Sequence, residues 1–440
     1  RGRRGDGARY ACGTLAPRRA GRKARSHSPI GTLRRMSRTG DLLGAAAIGA
    51  ALLIRASQTR RIRRRCESGA DAARQRFTPD RDSRIRIVQP IRSGDPRLRE
   101  TLTDTLTEHG TKAGRVVEWL IDADDQLAAD TIESILLQHD LGDCVVVLTM
   151  PAAPDGVNPK TWKLAKRLQA LDADNTDVFL VLDDDTRLSE AGLRALIREL
   201  DAGAMIATAF PRYERRGPLP SRLLADWVNG QAPTTYLGLP GPARSVNGMC
   251  YAIRTRDLIR LGGFSGIQHL VVDDLAMCEI VRSAGGRIAQ TTQPLTIGTD
   301  VRSFLQLASI LHRWMVFAQL NIRRGDAAER WLAIRQLVAP QLLFAGGLAT
   351  AGHLAFHNRS RFSLVAAVLG ITARAALIRA NASVTRTLDS ERAFASAVME
   401  IAALPAAATA TINPAITWRA RRYRIGRDAT MTAQPSTSDR

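Results

Sequence analysis

Five consecutive apolar residues, Val178–Leu182 (VFLVL), run directly into three carboxylates, Asp183-Asp184-Asp185. An unbroken apolar run of this length suits a strand covered on both faces, as in parallel sheets flanked by helices. Residues 84–296 alternate in the same style. Strand candidates are Ile85–Gln89, Val116–Ile121, Cys144–Thr149, Val178–Leu182 and Ala204–Ala209, with helical patterns near 96–109, 127–138, 159–171 and 189–201. This alternation predicts an α/β fold of right-handed βαβ units on a mostly parallel sheet. On such sheets ligands bind beyond the carboxyl ends of the strands, which is where the three carboxylates fall.

Adjacent carboxylates repel one another unless a cation neutralises them. A hard cation such as Mg²⁺ or Mn²⁺ takes oxygen ligands and commonly shares them with phosphates. Asp183 and Asp185 are therefore candidate ligands for a metal carrying a nucleotide diphosphate; the alternative is a solvated acidic turn ahead of a helix capped by Ser189. In sequence the nearest basic residue is Arg187, so the pair should need a divalent cation to hold such a ligand. A phosphatase DxDx[TV] motif is excluded, because Arg187 stands where Thr or Val is required. A second cluster, Asp122, Asp124 and Asp125, follows the strand pattern VVEWLI, and a third, Asp273-Asp274, follows Leu270–Val272. Three clusters at strand ends point to one shared polar site. The chain contains no GxGxxG, so a dinucleotide fingerprint is unsupported.

The net charge of +21 is concentrated in places that do not form a core. Residues 1–35 hold eleven Lys and Arg against one acid and show no apolar periodicity, and the first Met is Met36. This stretch is read as a disordered basic extension or a mis-called one. The apolar run Leu42–Ile54 is short against the roughly 17–25 residues of a bilayer span, although its Ser and Thr flanks extend it. Arg55, Arg60, Arg61, Arg63, Arg64 and Arg65 follow, and the positive-inside rule assigns that side to the cytoplasm. Later, Leu337–Phe356, Leu364–Leu377 and Phe394–Ile412 read as membrane segments. Three full crossings would leave the basic tail outside, so one should not cross, and Phe394–Ile412 carries Glu400 and Pro405. The expected organisation is an extension at 1–35, an anchor with a basic flank at 36–65 and a catalytic domain at 84–300. An interfacial helix at 301–330, membrane segments at 331–412 and a basic tail at 413–440 complete it. The five cysteines form no CxxC pair; Cys144 and Cys278 lie in apolar stretches and read as reduced core residues. Nucleic acid is not an expected partner: aromatic residues are 5%, too few for stacking platforms.

Taken together and in order, these segments resemble the family 2 and family 21 glycosyltransferases, most closely the ceramide glucosyltransferases, over roughly residues 85–425. The carriers are QPIRSGDPRLRETL, LIDADD with Asp122, GVNPKTWKLAK, LDDDTR with Asp183, SVNGMCYAIRTRDLIRLGGF and VVDDLAMCEIVRSAGGRIA with Asp274. His312-Arg313-Trp314 matches the end of the (Q/R)xxRW motif, and ITWRARRYRI resembles the family's basic-aromatic tail. The first motif position is Ile310 here, a departure that leaves a polar group to be found elsewhere or the helix shifted.

The resemblance implies a GT-A fold, a Rossmann-like sheet with the donor at its carboxyl edge. It implies that Asp122 contacts uridine, Lys160 sits near the donor, and Asp183 and Asp185 hold Mg²⁺ or Mn²⁺ on the diphosphate. Arg313 would add fixed charge beside the pyrophosphate. Trp314 would pack on donor or lipid, or serve as an interfacial belt residue. Asp274 would be the general base of an inverting transfer from a UDP-sugar, glucose first, to a ceramide-like lipid at the cytoplasmic membrane face. Other hexoses, N-acetylglucosamine, a hopanoid acceptor or polysaccharide synthesis remain alternatives, as does an inactive membrane scaffold.

Overall fold

The computed structural model describes residues 29–74, 84–138, 145–171, 176–418, 421–426 and 428–433. A long helix, α1 (Pro29–Arg74), comes first. It therefore begins inside the stretch 1–35, whose residues 1–28 lie outside the described ones, as does Cys144.

The alternating region folds as β1 (Ile85–Pro90), α2 (Leu98–Thr105), β2 (Arg115–Asp122), α3 (Gln126–Leu136), β3 (Val145–Met150), α4 (Pro159–Gln169) and β4 (Val178–Leu182). It continues through β5 (Thr186–Arg187), α5 (Glu190–Asp201), β6 (Ile206–Tyr213), α6 (Leu219–Ala232), β7 (Cys250–Arg254), α7 (Thr255–Arg260), α8 (Asp273–Ser283) and β8 (Ile288–Ile297). The eight strands form one sheet in the order β3-β2-β1-β4-β7-β6-β8-β5. β1 to β4, β6 and β8 share one direction, while β7 and β5 run against their neighbours. The antiparallel β7 matters for the site. Its register sets Cys250 against Leu182, so the residues just before β7 meet the carboxyl end of β4.

The apolar run of β4 is covered on both faces, as its sequence requires. Val178, Leu180 and Leu182 join Ile87, Val117 and Trp119 beneath Leu102 of α2, Ile132 of α3 and Leu196 of α5. Phe179 and Val181 join Val88 and Leu120 beneath Leu164 of α4 and Met277 of α8.

Beyond the sheet come α9 (Phe304–Arg324), α10 (Ala327–Ala333), α11 (Ala339–His357), α12 (Arg361–Thr385), α13 (Ala393–Ala402) and α14 (Leu404–Ile412). On α9, Leu307, Leu311, Val316 and Leu320 form a buried stripe at helical spacing. Among the described residues, four helical stretches are long and apolar enough to cross a membrane: Arg38–Gly69, Ala327–His357, Arg361–Thr385 and Ala393–Ile412. α1 packs against α11 and α12. Gly44 and Gly347 let two backbones close, since a Cβ on Gly347 would lie 2.8 Å from the Gly44 carbonyl oxygen. The fourth stretch is interrupted between α13 and α14, with Pro405 in the first turn of α14. In its first half Glu400 is buried and accepts from Arg55 Nη2 and Arg374 Nε, each at 2.7 Å. That cluster joins α1, α12 and α13, and α13 in turn lies on α6, where Gly230 leaves room for Ser396.

The basic tail contains strands at its described residues. β9 (Ala415–Trp418), β10 (Arg421–Ile425) and β11 (Met431–Ala433) form an antiparallel sheet. Leu270 pairs with Thr430, and Val271 donates to the Ala429 carbonyl at 3.2 Å, just ahead of α8.

Candidate active site

Asp122 ends β2 and is buried. Its Oδ2 receives Arg92 Nη1 and Lys163 Nζ, each at 3.0 Å. Its Oδ1 is buried and, among the described residues, accepts no hydrogen bond. Asp125 is occupied structurally: it caps α3 through Ala128 N–H and also accepts from Ser93 N–H. Asp124 is exposed, 3.3 Å from Arg92.

The three carboxylates after β4 divide their work. Asp184 is buried and accepts the Arg92 backbone N–H at 2.8 Å, tying the loop after β1 to the loop after β4. Asp183 meets Lys160 Nζ at 2.8 Å. Asp185 accepts from Thr186 Oγ1 at 3.0 Å. Burial and the charges of Asp183 and Asp184 push the Asp185 carboxyl up to about 7, as happens where like charges crowd without a cation.

The third cluster reaches the same edge through β7. Asp273 and Asp274 open α8. Gly248, two residues before β7, donates its N–H to Asp274 Oδ2 at 3.1 Å, and Leu275 N–H donates to Oδ1 at 2.8 Å. A Cβ on Gly248 would come within 3.2 Å of Asp274, so this approach suits glycine. Burial and the neighbouring Asp273 raise the Asp274 carboxyl to about 6, against the opposing pull of Lys160 and the two N–H donors. Lys160 joins the clusters, with its ammonium 3.1 Å from Asp273 Oδ2 and donating to the Gly248 carbonyl at 2.7 Å.

α9 closes the opposite side. Trp314 stacks on Trp227 with centroids 6.0 Å apart and meets Tyr213 edge-on at 5.8 Å. Burial first, and then the charge of Asp185, push the Tyr213 hydroxyl well up, while Arg313 opposes them. Asp185, Tyr213 and Arg313 thus lie within electrostatic reach of one another. Ile310 packs into the apolar cluster of Leu307 and Leu311. His312 uses both ring nitrogens, on Thr409 Oγ1 and the Ala415 carbonyl, each at 3.1 Å.

The model of glycosyl transferase family 21 matches residues 44–431. The chain belongs to glycosyl transferase family 21. No curated protein matches it. Among solved structures, it is similar to a mannosyltransferase from Pyrobaculum calidifontis in complex with GDP-Man and Mn²⁺. The two share 17% identity over 83% of this chain and 99% of that one, with a TM-score of 0.46. It is also similar to glucosyl-3-phosphoglycerate synthase from Mycobacterium tuberculosis in complex with Mn²⁺, UDP and phosphoglyceric acid. There the identity is 14% over 56% of this chain and 80% of that one, with a TM-score of 0.34.

In this family 21 glycosyltransferase the structure brings Asp183, Asp185, Asp274 and Lys160 to one edge of the sheet, with Asp122 on the same edge at the end of β2. One expectation is corrected. Asp183 and Asp185 do have a basic neighbour closer than Arg187: Lys160 of α4 meets Asp183 at 2.8 Å, while Arg187 turns to Asp104 and Glu214, each at 2.7 Å. Four partners were not singled out from sequence: Arg92, Lys163, Gly248 and Tyr213. Lys163 and Lys160 stand three apart on α4, a spacing that presents both on one helical face.

The residues fit a divalent cation in one way. Among the described residues no group of three or more His, Cys, Asp or Glu converges as a self-sufficient metal site. Asp183 and Asp185 offer two carboxylates, the second pushed to about 7 by burial first and then by its acidic neighbours. A hard cation that completes its shell with phosphate oxygens and water suits such a pair. A cleft of about 980 Å³ lies at the opposite end of the sheet, between Asp177, Asp201, Arg254 and Arg287, and includes none of the three clusters.

Proposed function

We propose that this enzyme transfers a hexose, glucose first, from a UDP-sugar to a ceramide-like lipid at the cytoplasmic face of a membrane, with inversion. The observation that carries this reading is the placement of Asp274. Gly248 donates its N–H to Asp274 and accepts from Lys160 at its carbonyl, and Lys160 pairs with Asp183, so the two carboxylates share one polar site, where burial and Asp273 raise the Asp274 carboxyl to about 6.

Each residue then has a task. The free Oδ1 of Asp122 accepts a hydrogen bond from the uracil ring, while Arg92 and Lys163 fix the carboxylate. Asp183 and Asp185 hold the divalent cation, which when bound neutralises the charge of the leaving diphosphate. Arg313, an Arg fork suited to phosphate oxygens, supplies fixed positive charge from α9. Trp314, braced by Trp227 and Tyr213, gives a flat apolar wall beside the sugar or lipid. Asp274 takes the proton of the acceptor hydroxyl as its oxygen attacks the anomeric carbon. A base with a pKa near the working pH contributes roughly 10²–10⁴-fold.

The lipid acceptor fits a site whose α9 leads directly into the apolar helices. The arginine-rich end of α1 supports a cytoplasmic catalytic unit, by the positive-inside rule. With α1, α11 and α12 crossing, the interrupted α13–α14 segment stays on the cytoplasmic side. Its ion pair to Arg55, which follows the apolar run of α1, supports that placement, and the tail then remains inside.

The test incubates membranes containing the full chain with labelled UDP-glucose, UDP-galactose or UDP-N-acetylglucosamine plus ceramide. Label from UDP-glucose should move into the ceramide fraction on thin-layer analysis. Label entering only other lipids, or only from another donor, would replace the proposed substrates. Label in no lipid would reject the reaction.

A further inference from the structure

Lys160 stands where two halves of the reaction meet, and its placement follows from the start of α4. Asn158 caps that helix, accepting the Lys160 N–H at 3.0 Å. Asn158 also donates to the carbonyls of Gln268 and Leu270, through N–H at 2.7 Å and Nδ2 at 3.2 Å. The Lys160 backbone is therefore stitched to the loop that leads into Asp273, and only its stem is free to move. The ammonium donates to the Gly248 carbonyl at 2.7 Å and forms ion pairs with Asp183 Oδ1 at 2.8 Å and Asp273 Oδ2 at 3.1 Å.

The cluster is rich in negative charge: Asp183, Asp184, Asp185, Asp273 and Asp274 crowd one edge. Asp122 and its neighbours have their own cations in Arg92 and Lys163. A divalent cation that takes Asp183 as a ligand competes directly with the Lys160 ammonium for the same carboxylate. The incoming diphosphate offers that ammonium a new anionic partner.

We propose that Lys160 is the cation that holds Asp183 whenever no metal is bound, exchanged from Asp183 to the diphosphate when metal and donor bind together. This rests on the metal assignment made above and adds to it an order of events. Metal alone is opposed by Lys160, and nucleotide relieves that opposition. Mn²⁺ and UDP therefore bind with positive coupling that depends on this side chain. Lys160 is in this sense a positioning residue. Before metal binds it keeps the Asp183 and Asp273 carboxylates together, and on loading it stays with Asp273 beside the base.

The experiment titrates Mn²⁺ into the detergent-solubilised full chain, with and without UDP, followed by electron paramagnetic resonance of free Mn²⁺. Without UDP, Lys160→Gln should bind Mn²⁺ up to about fivefold more tightly than the unaltered chain, the upper end for releasing a partly exposed ion pair. UDP should then tighten Mn²⁺ binding less than it does in the unaltered chain. Lys160→Arg, which keeps the charge, should restore weak binding of Mn²⁺ alone. Mn²⁺ should also raise the thermal midpoint of Lys160→Gln more than that of the unaltered chain, a readout that survives a loss of stability in the variant. If Lys160→Gln binds Mn²⁺ alone no more tightly, while Asp183→Asn loses Mn²⁺, the exchange is wrong and the metal assignment stands. If Asp183→Asn binds Mn²⁺ like the unaltered chain, the metal assignment falls and the exchange with it.

Discussion

Replacing Asp274 by Asn separates the base from the fold, because its environment makes opposite predictions for activity and stability. The carboxyl is raised from 3.8 to about 6 by burial and by Asp273. A raised acid pKa means that the native state favours the protonated form. Its stabilisation is complete below the unfolded-state value and is lost as pH rises through about 6. At neutral pH the ionised carboxylate therefore costs roughly 3 kcal/mol, and an amide removes that cost. Against this, both carboxylate oxygens accept N–H groups, from Gly248 and Leu275. An amide has one acceptor oxygen, so one N–H is left facing NH₂, at a cost of about 1–3 kcal/mol. The two effects nearly cancel. Asp274→Asn should melt at or slightly above the temperature of the unaltered chain and bind UDP normally, while turnover falls by roughly 10²-fold or more. The unaltered chain should lose kcat/KM as pH falls below about 6, the pH at which Asp274 takes up its proton. Glycolipid formation, UDP binding and thermal melting measured on one preparation decide it. Near-normal turnover, or Asp273→Asn proving the more damaging change, would refute the assignment. Loss of UDP binding together with a large drop in melting temperature would make the pair structural.

Other outcomes follow from the same geometry. EDTA should abolish turnover and Mn²⁺ or Mg²⁺ restore it; full activity in EDTA would remove the metal from the mechanism. Glu400→Gln leaves Arg55 and Arg374 buried without their shared carboxylate. It should destabilise the protein by about 3–5 kcal/mol, read as a lower unfolding midpoint in detergent; a change within about 0.5 kcal/mol would show that the cluster contributes little. Single cysteines at exposed positions between residues 84 and 300 should react only after the membrane is opened to the cytoplasmic side. Labelling from outside would overturn the orientation.

What was legible in the sequence follows the strength of local signals. Val178–Leu182 declared β4 because five apolar residues in a row suit only a strand buried on both faces, and Asp183-Asp184-Asp185 declared the edge. β8, with the sequence IAQTTQPLTI, carries no clean alternation, because its burial comes from neighbouring elements rather than from its own pattern. The C-terminal sheet was equally hidden: RRYRI reads as a basic tail, and only its pairing with Ala415–Trp418 makes it a strand. The site divides in the same way. Carboxylates at strand ends could be read directly, whereas their counter-ions could not. Lys160 reaches Asp183 across the sheet edge, and Arg55 reaches Glu400 over 345 residues of chain. Ile310 was visible as a departure. The structure gives its reason in part: the position faces an apolar cluster, while Tyr213 brings a hydroxyl to the neighbourhood of Asp185 and Arg313.

The central claim, an inverting transfer by a single base onto a lipid hydroxyl, is tested most directly by the stereochemistry of the product. Membranes holding the full chain are supplied with UDP-glucose carrying ¹³C at the anomeric carbon and with ceramide. The extracted glycolipid is then examined by nuclear magnetic resonance. An α-linked donor attacked once from the opposite face must give a β-linked glucoside, seen as a large diaxial coupling at the anomeric proton, and Asp274→Asn membranes should give almost none. An α-linked product would mean retention, and would contradict both the single displacement and the role given to Asp274.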